Sequence, residues 1–210
     1  MMQAVIIANG QLSANADLAD LWQSADLRIA ADGGSRSART AFGLAPHTVI
    51  GDLDSLDDET RRWLGESSVE FNRHPVAKNE TDLELAILLA FERGAGRVTV
   101  LGALGGRADQ HIANVLLLAR FPGVILRDAA SEMWAARRVA AITGHAGDIV
   151  SLLPLDEQVD GVVTYDLLYP LKHETLLRGA TRGVSNQMLT DSARVEWEKG
   201  LLLIVHLFGA

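Results

Sequence analysis

Residues 78–101, KNETDLELAILLAFERGAGRVTVL, contain the clearest secondary-structure signal in the chain. Thr81 and Glu84 have the spacing of a capping box, which satisfies free backbone amides at the start of a helix. The apolar residues that follow recur with helical spacing and predict one apolar face: Leu83, Ala86, Ile87, Ala90 and Phe91. The run 98–101 then predicts a strand. A helix followed closely by a strand is typical of an α/β fold.

The same alternation extends back to the N terminus. Further strands, separated by helical stretches, are predicted at residues 4–8, 27–31, 48–50 and 69–71. A second clear helix is predicted from Asp109, with its inner face formed by Ile112, Val115, Leu116 and Ala119. Because alternating strands and helices build parallel sheets, we expect residues 1–123 to form an α/β domain with a largely parallel sheet and flanking helices.

After Phe121-Pro122-Gly123 the pattern changes. Strands without long helices between them are predicted at residues 149–153, 159–167 and 195–197. Glu198-Lys199-Gly200 predicts a hairpin turn into a last strand at 201–208. We therefore expect residues 124–210 to form a second, β-rich domain, an antiparallel sandwich or barrel.

Composition limits the class of protein. A chain of 210 residues with 48% hydrophobic residues can bury a substantial core. The net charge of -8 and pI near 5.2 argue against nucleic acid or an anionic membrane as partners, so the ligand is expected to be small. Without cysteine there is no disulfide or thiolate site. The start MMQAVIIANG lacks signal-peptide features and no apolar stretch is long enough to span a bilayer, which together favour a cytoplasmic enzyme.

Three short acidic clusters carry the candidate chemistry. They are ADGGS with Asp32, GDLDS with Asp52 and Asp54, and KNETD with Asp82. Each follows a predicted strand or opens a predicted helix, so the clusters are expected to meet at the carboxyl edge of one sheet. Carboxylates brought together repel one another unless a cation binds them, and oxygen ligands favour Mg²⁺ over zinc or iron. The sequence therefore predicts magnesium-dependent phosphate chemistry.

Two of the clusters also have a plainer interpretation. Asp, Gly and Ser all favour turns, so GDLDS is as readily an ordinary turn as a strand that aims Asp52 and Asp54 to one face. ADGGS taken alone favours a tight strand-to-helix turn, although Gly33 and Gly34 would let a phosphate approach backbone amides. Neither a P-loop nor a dinucleotide-binding pattern is present in the sequence.

The segment GALGGRADQHIAN, residues 102–114, combines glycines with one cation and an acidic residue that opens a helix. Arg107 would contact phosphate oxygens through its planar guanidinium group; alternatively Arg107 is a solvated charge and Asp109 a simple helix cap. Lys78, close to Thr81, would neutralise phosphate charge or lie on the surface. The six histidines lack metal-ligand spacing, so no zinc site is expected.

Taken in order, ADGGS, GDLDS, KNETDLELA and GGRADQHIAN resemble the motif series of the thiamine pyrophosphokinases, and the β-rich tail resembles the second domain of that family. The resemblance implies an α/β domain that binds ATP and Mg²⁺, a β domain that helps to bind thiamine, and a homodimer with its active site at the interface. It implies transfer of the diphosphate group of ATP to the hydroxyl of thiamine, giving thiamine diphosphate and AMP.

The resemblance also implies roles for individual residues. The metal and triphosphate would be organised by Asp32, Asp52, Asp54 and Asp82, of which Asp54 and Asp82 are the candidate proton acceptors and Asp52 a further catalytic residue. The nucleotide-binding residues would include Gly33, Gly34, Lys78, Thr81, Arg107 and Asp109. In the tail, LYPLKHETLLRGATRGVSN resembles the thiamine-binding segment and implies contacts from Tyr169, Ser185 and Asn186, which could equally be an edge-strand aromatic and a turn.

Two residues depart from the usual family pattern of KDxTD and GGRxDH. Asn79 replaces the aspartate and removes a charge, and Gln110 replaces the histidine and removes a titratable group while keeping hydrogen-bonding capacity. Three alternatives therefore stay open. They are a magnesium-dependent phosphohydrolase with the same carboxylates, a pyrophosphokinase for another small alcohol such as a pterin, and a nucleotide-binding regulatory module that has lost catalysis.

Overall fold

The computed structural model describes residues 1–209, which form two compact units. The first unit comprises Met1–Leu117 and Leu126–Ala129, and the second comprises Leu118–Ile125 and the chain from Ala130 onward. Within residues 1–209, none of the helices combines the length and the apolar character needed to cross a membrane.

The first unit is built on a parallel sheet. Its strands are β1 (Gln3–Ile7), β2 (Leu27–Ala31), β3 (Thr48–Gly51), β4 (Glu70–Arg73) and β5 (Arg97–Leu101). Next to β5 lies β6 (Val124–Arg127), of which Leu126 and Arg127 belong to this unit. The order is β6-β5-β1-β2-β3-β4, and the pairs from β5 to β4 are all parallel. The helices of the chain are α1 (Ala16–Ser24), α2 (Gly34–Ser37), α3 (Asp58–Gly65), α4 (Asp82–Glu92) and α5 (Ala108–Arg120), and a π-helical turn, Ala38–Phe42, continues α2. The predicted α/β fold is confirmed.

Helix α4 begins as the sequence predicts. The Thr81 side chain accepts a hydrogen bond from the Glu84 amide at 3.2 Å and caps the helix. The predicted apolar face is buried at four positions, Leu83, Ala86, Ile87 and Ala90, while Phe91 is half-buried. Burial of this stripe is the main source of the helix's stability, because helices of this length are marginal in isolation.

The predicted inner face of α5 is wrong. Ile112 and Leu116 are 60% and 57% exposed, and Ala119 is also exposed, whereas the buried positions are Asn114 and Leu118. Apolar residues occur nearly all around this helix, so their spacing does not determine which stripe faces inward. The Asn114 amide does determine it, because it donates to the Ala103 carbonyl at 2.9 Å and turns its own face toward the protein.

The second unit is an antiparallel β-sandwich. Its strands are β7 (Ser131–Ala136), β8 (Val139–Thr143), β9 (Ile149–Pro154), β10 (Gln158–Tyr165), β11 (Lys172–Leu177), β12 (Asn186–Gln187), β13 (Ser192–Glu196) and β14 (Leu202–Leu207). They follow the orders β12-β9-β14-β7 and β11-β10-β13-β8. One apolar core contains residues from both of these strand orders. Leu152 and Ile204 come from the order that begins with β12, and Ile142, Val162 and Val195 come from the order that begins with β11.

The predicted hairpin at Glu198-Lys199-Gly200 is wrong. The strands on either side of it do not pair, because β13 pairs with β8 and β10 whereas β14 pairs with β7 and β9. The connection instead bonds to β10: the Asp160 amide donates to the Lys199 carbonyl at 3.0 Å and the Glu198 amide donates to the Asp160 carbonyl at 2.9 Å. Turn-forming residues alone therefore do not specify which strand the chain pairs with.

A polar cluster lies inside the second unit. The fully buried His206 places Nε2 2.9 Å from Asp148 Oδ2 and Nδ1 3.5 Å from Glu132 Oε1. Asp148 also accepts hydrogen bonds from the amides of His145 and Gly209. Burial works against the charged ring, but the interactions with Glu132 and Asp148 prevail and raise the pKa of His206. Burial also opposes ionisation of Asp148, yet its hydrogen bonds lower the pKa of that carboxyl.

Candidate active site

Three aspartates from two strand ends converge at the carboxyl edge of the parallel sheet. One ligand oxygen from each of Asp32, Asp52 and Asp54 lies within 4.8 Å of the others. Asp32 directly follows β2, and its amide donates to the Ile50 carbonyl at 2.8 Å, which ties it to the end of β3. Asp52 directly follows β3. The convergence expected from the α/β pattern is therefore present.

The route by which Asp52 and Asp54 come together differs from the prediction. Strand β3 ends at Gly51, and the buried Leu53 has a φ of 65°, so the chain turns and does not continue as a strand. The Asp54 amide donates to Asp52 Oδ1 at 3.2 Å across this turn. An ordinary turn and a pair of carboxylates on one face were alternative interpretations of GDLDS. In the structure, the turn itself brings the two aspartates together.

The electrostatics of the group favour a bound cation. Asp32 is 8% exposed, and within residues 1–209 its Oδ1 has no hydrogen-bond partner, while its Oδ2 accepts from the Ser55 hydroxyl. Burial, together with the charges of neighbouring aspartates, raises the pKa of Asp32. Hydrogen bonding to Asp52 and its charge raise the pKa of Asp54, whereas the Asp54 amide lowers that of Asp52. A hard divalent cation would satisfy the free oxygen and offset the repulsion.

Asp82 lies beside this group, at the first position of α4. Its Oδ1 is 2.6 Å from Lys78 Nζ, and its charge contributes to raising the pKa of both Asp32 and Asp54. Gly51 makes the approach possible, because a Cβ there would lie 3.1 Å from Asp32 Cβ and 3.2 Å from Asp82 Oδ1. Gly51 also has a φ of 143°, which side chains rarely adopt.

The aspartates open into a polar cleft of about 670 Å³ in the first unit. Residues predicted for the nucleotide or metal site that line it are Asp32, Gly33, Asp52, Lys78, Thr81, Asp82 and Arg107. Three predicted residues, all described by the structure, lie outside the lining: Gly34, Asp54 and Asp109. Gly34 has a packing role, since a Cβ there would lie 2.1 Å from the Ile7 carbonyl oxygen. Gln110 lines the cleft, and the exposed Asn79 does not.

Each cation of the cleft wall is paired with a carboxylate. Lys78 pairs with Asp82 and Arg107 with Asp109, both at 2.6 Å. Arg36, which sequence reasoning missed, also lines the cleft and pairs with Asp57 at 2.8 Å. Hydrogen bonds from Thr60 and then from Arg36 lower the pKa of Asp57 to about 2. Arg36 follows ADGGS directly in the sequence, so its position at the start of the helix after that motif could have identified it as a cleft residue.

Asn9 and Gln11 are two further cleft residues that the sequence analysis missed. They follow β1, and the rule that polar residues cluster at the carboxyl ends of parallel strands would have included them. A Cβ at Gly33 would lie 2.2 Å from Asn9 Oδ1, so the glycine at this position lets the two strand ends approach each other.

Two of the three tail residues predicted to bind thiamine line a second, smaller pocket of about 370 Å³ in the second unit. Tyr169 and Asn186 line it, together with Arg182. The buried Asn186 amide makes two bonds to the backbone of Tyr169, accepting from its N–H at 2.9 Å and donating to its carbonyl at 2.7 Å. The Ser185 amide donates to Ser151 Oγ at 3.0 Å, and Ser185 lies outside the pocket lining. Asn186 thus holds Tyr169, whose side chain is exposed.

These features define an α/β enzyme with an acidic group and paired cations in a cleft at the carboxyl edge of its sheet. Residues 18–127 match the family model for the thiamin pyrophosphokinase catalytic domain, and residues 139–202 match the thiamin pyrophosphokinase vitamin B1 binding domain. The chain belongs to the thiamin pyrophosphokinase family.

Individual relatives agree with this placement. Thiamine pyrophosphokinase of Bacillus subtilis is 25% identical over 208 residues, covering 95% of this chain and 96% of the relative. Thiamine pyrophosphokinase 1 of Oryza sativa is 24% identical, covering 97% and 87%. The solved structure of the Bacillus subtilis protein superposes with a TM-score of 0.87 at 23% identity, covering 99% of this chain and 100% of that one. A thiamin pyrophosphokinase from Candida albicans gives 0.84 at 17% identity, covering 99% and 89%.

Proposed function

We propose that this protein transfers the diphosphate group of ATP to the hydroxyl of thiamine, giving thiamine diphosphate and AMP. The observation that carries the proposal is a single cleft that combines the aspartate group with Arg36, Lys78 and Arg107, in a chain of the thiamin pyrophosphokinase family. A cleft with both signs of charge suits a triphosphate that arrives with a divalent cation.

Mg²⁺ is the cation that we propose for the aspartate group. Asp32, Asp52 and Asp54 would hold it, with Asp82 beside them, and the free oxygen of Asp32 supports this assignment. When bound, Mg²⁺ supplies charge neutralisation on the phosphate oxygens. The role of the protein's own cations is to bind the remaining phosphate oxygens, with Arg107 offering a planar fork and Lys78 a point charge.

Proton transfer from the thiamine hydroxyl is the second task of the site. We assign it to Asp54 in preference to Asp82, because the Asp54 carboxylate is exposed and makes no ion pair among residues 1–209. Asp82 is held in an ion pair with Lys78 and is better suited to orient the cluster.

The acceptor site is proposed for the second unit. Tyr169 would stack on the cationic thiazolium ring, Asn186 would fix the Tyr169 backbone, and Ser185 would lie nearby. We also propose a separate role for each domain: residues 1–123 bind ATP and magnesium, and residues 124–210 bind thiamine.

Replacing Tyr169 by alanine is expected to raise the KM for thiamine by about twofold to thirtyfold, because a cation over an aromatic ring contributes about 0.5 to 2 kcal/mol. The KM for ATP should not change. Tyr165→Ala is the matched control, since Tyr165 is the other tyrosine, is similarly exposed and donates to Glu196 outside the pocket. A raised ATP KM with an unchanged thiamine KM would reverse the assignment.

We further propose a cytoplasmic homodimer in which two subunits contribute to each active site. The exposed apolar stripe on α5, formed by Ile112, Leu116 and Ala119, supports an interface, because such stripes are seldom left in water.

The double variant Ile112→Glu/Leu116→Glu is expected to sediment as a monomer and to lose activity. Val139→Glu, at an exposed apolar position of β8, is the control. A fully active monomer at any dilution would rule out a shared site.

The reaction itself is tested by resolving the products with phosphorus NMR after incubation with ATP, Mg²⁺ and thiamine. Equal amounts of AMP and thiamine diphosphate are expected, since the acceptor would attack the β-phosphorus. Release of ADP would indicate an ordinary kinase, and nucleotide cleavage without thiamine would indicate a hydrolase. A pterin alcohol in place of thiamine tests the related pyrophosphokinase, and ATP binding without turnover would indicate a regulatory module.

A further inference from the structure

The glycine-rich loop between β5 and α5 forms one wall of the cleft. Gly102, Gly105 and Gly106 all have positive φ, at 67°, 80° and 73°. Glycines in this region of backbone space have many alternative conformations and no side chains to hold them in place. The start of the loop is fixed to the exit of β1, because the Gly10 amide donates to the Gly102 carbonyl at 2.9 Å. The part that carries Gly105, Gly106 and Arg107 needs another anchor.

Helix α5 holds the loop through two side chains, one at Ala103 and one at Gly105. Asn114 donates to the Ala103 carbonyl at 2.9 Å, and His111 Nδ1 accepts a hydrogen bond from the Gly105 amide at 3.0 Å. The two residues are three positions apart and therefore lie on the same face of the helix. The Gly105 amide is directed to the His111 ring, so this bond constrains the backbone between Leu104 and Arg107.

We propose that His111 is a positioning residue for the nucleotide: its uncharged ring, with the proton on Nε2, holds the Gly105–Gly106–Arg107 segment in the conformation that binds the phosphates of ATP. An imidazole accepts at Nδ1 only when that nitrogen carries no proton, so the tautomer is part of the proposal. The residue acts through the loop and touches no reacting atom. The identity of the nucleotide as ATP rests on the proposed function.

The consequence can be measured with two substitutions. His111→Leu removes the acceptor and leaves the Gly105 amide unpaired, whereas His111→Asn keeps an acceptor oxygen at nearly the position of Nδ1. The leucine variant is expected to bind ATP with Mg²⁺ about threefold to tenfold more weakly by titration calorimetry, the effect of one lost hydrogen bond. The asparagine variant should recover most of the affinity. The KM for thiamine should stay the same in both, and His145→Leu, an exposed histidine of the second unit, is the control.

A measurement on the unchanged protein completes the test. Nitrogen-15 NMR of the imidazole distinguishes the two neutral tautomers, and His111 is expected to carry its proton on Nε2. Nδ1 protonation, undiminished ATP affinity in a folded His111→Leu variant, or an asparagine variant no better than leucine would each overturn the proposal. None of these outcomes depends on turnover. Failure of the proposed function would instead appear as missing AMP and thiamine diphosphate, whatever the His111 results.

Discussion

Replacing Asp52 or Asp54 by asparagine is expected to leave a folded protein whose turnover falls about a hundredfold or more, because losing a charged ligand of the proposed Mg²⁺ site would cost several kcal/mol of transition-state stabilisation. Both residues belong to the group whose ligand oxygens lie within 4.8 Å of one another. The rate of thiamine diphosphate formation at limiting and at saturating Mg²⁺ is the measurement. Asp58→Asn, at an exposed position a few residues along the chain, is the matched control and should retain its activity.

The melting temperature of an Asp32→Asn variant distinguishes the loss of a metal-binding carboxylate from the loss of the fold. Burial and the neighbouring aspartates raise the pKa of Asp32, which means that its charge is unfavourable in the folded protein without a cation. Asp32→Asn should therefore melt at the same or a higher temperature than the parent protein when Mg²⁺ is absent, while turnover is lost. Should the Asp52 and Asp54 variants fold and keep near-native rates at limiting Mg²⁺, the metal assignment is wrong.

The second large effect is expected in the second unit, where Asp148→Ala should lower the free energy of unfolding by about 3 to 5 kcal/mol. The substitution leaves the buried His206 ring and the amides of His145 and Gly209 without their shared acceptor. Urea unfolding gives the measurement. The control is Asp191→Ala, because Asp191 lies 3.9 Å from the exposed ring of His145 and an exposed pair contributes at most about 1 kcal/mol. An equal loss of unfolding free energy in the two variants would contradict the expectation that the buried carboxylate contributes more than the exposed one.

The same cluster predicts how stability depends on pH. The pKa of His206 is raised on folding, so its contribution is complete below the unfolded value of about 6.5 and is lost as the pH rises through the folded value. The pKa of Asp148 is lowered, so its contribution is complete above about 3.9 and is lost as the pH falls. The difference in unfolding free energy between the parent and His206→Leu should therefore shrink as the pH rises above about 6.5. A constant difference would contradict a pKa of His206 that is raised on folding.

The parts of the fold that follow local rules were predictable from the sequence. Helix α4 has its cap and apolar stripe where the pattern indicates, and polar residues after β2 and β3 meet because parallel strands end at one edge. The inward face of α5 was not predictable, because it depends on a bond between Asn114 and the Ala103 carbonyl. The pairing of β13 and β14 with other strands was likewise decided by non-local contacts, which the turn at Gly200 does not encode.

The candidate site was predictable to the same extent. Acidic clusters are visible in the sequence itself, so Asp32, Asp52 and Asp54 could be identified as candidates without coordinates. Asn186 was assigned to the ligand from its position in a motif, but the structure gives its amide two bonds to the Tyr169 backbone. The role of His111 was not predictable, because a side chain that bonds to a backbone amide leaves no periodic trace in the sequence.

The pairing of every cleft cation with a carboxylate has a consequence for product release. In the proposed site, a phosphate ligand would compete with Asp57, Asp82 and Asp109 for Arg36, Lys78 and Arg107, so its binding would be an exchange of anions rather than the filling of empty positive sites. A triphosphate carries enough negative charge to compete for all three cations, whereas a monophosphate carries only about two charges. We therefore expect the three carboxylates to compete more effectively with AMP than with ATP for these cations, which would favour the release of AMP after transfer.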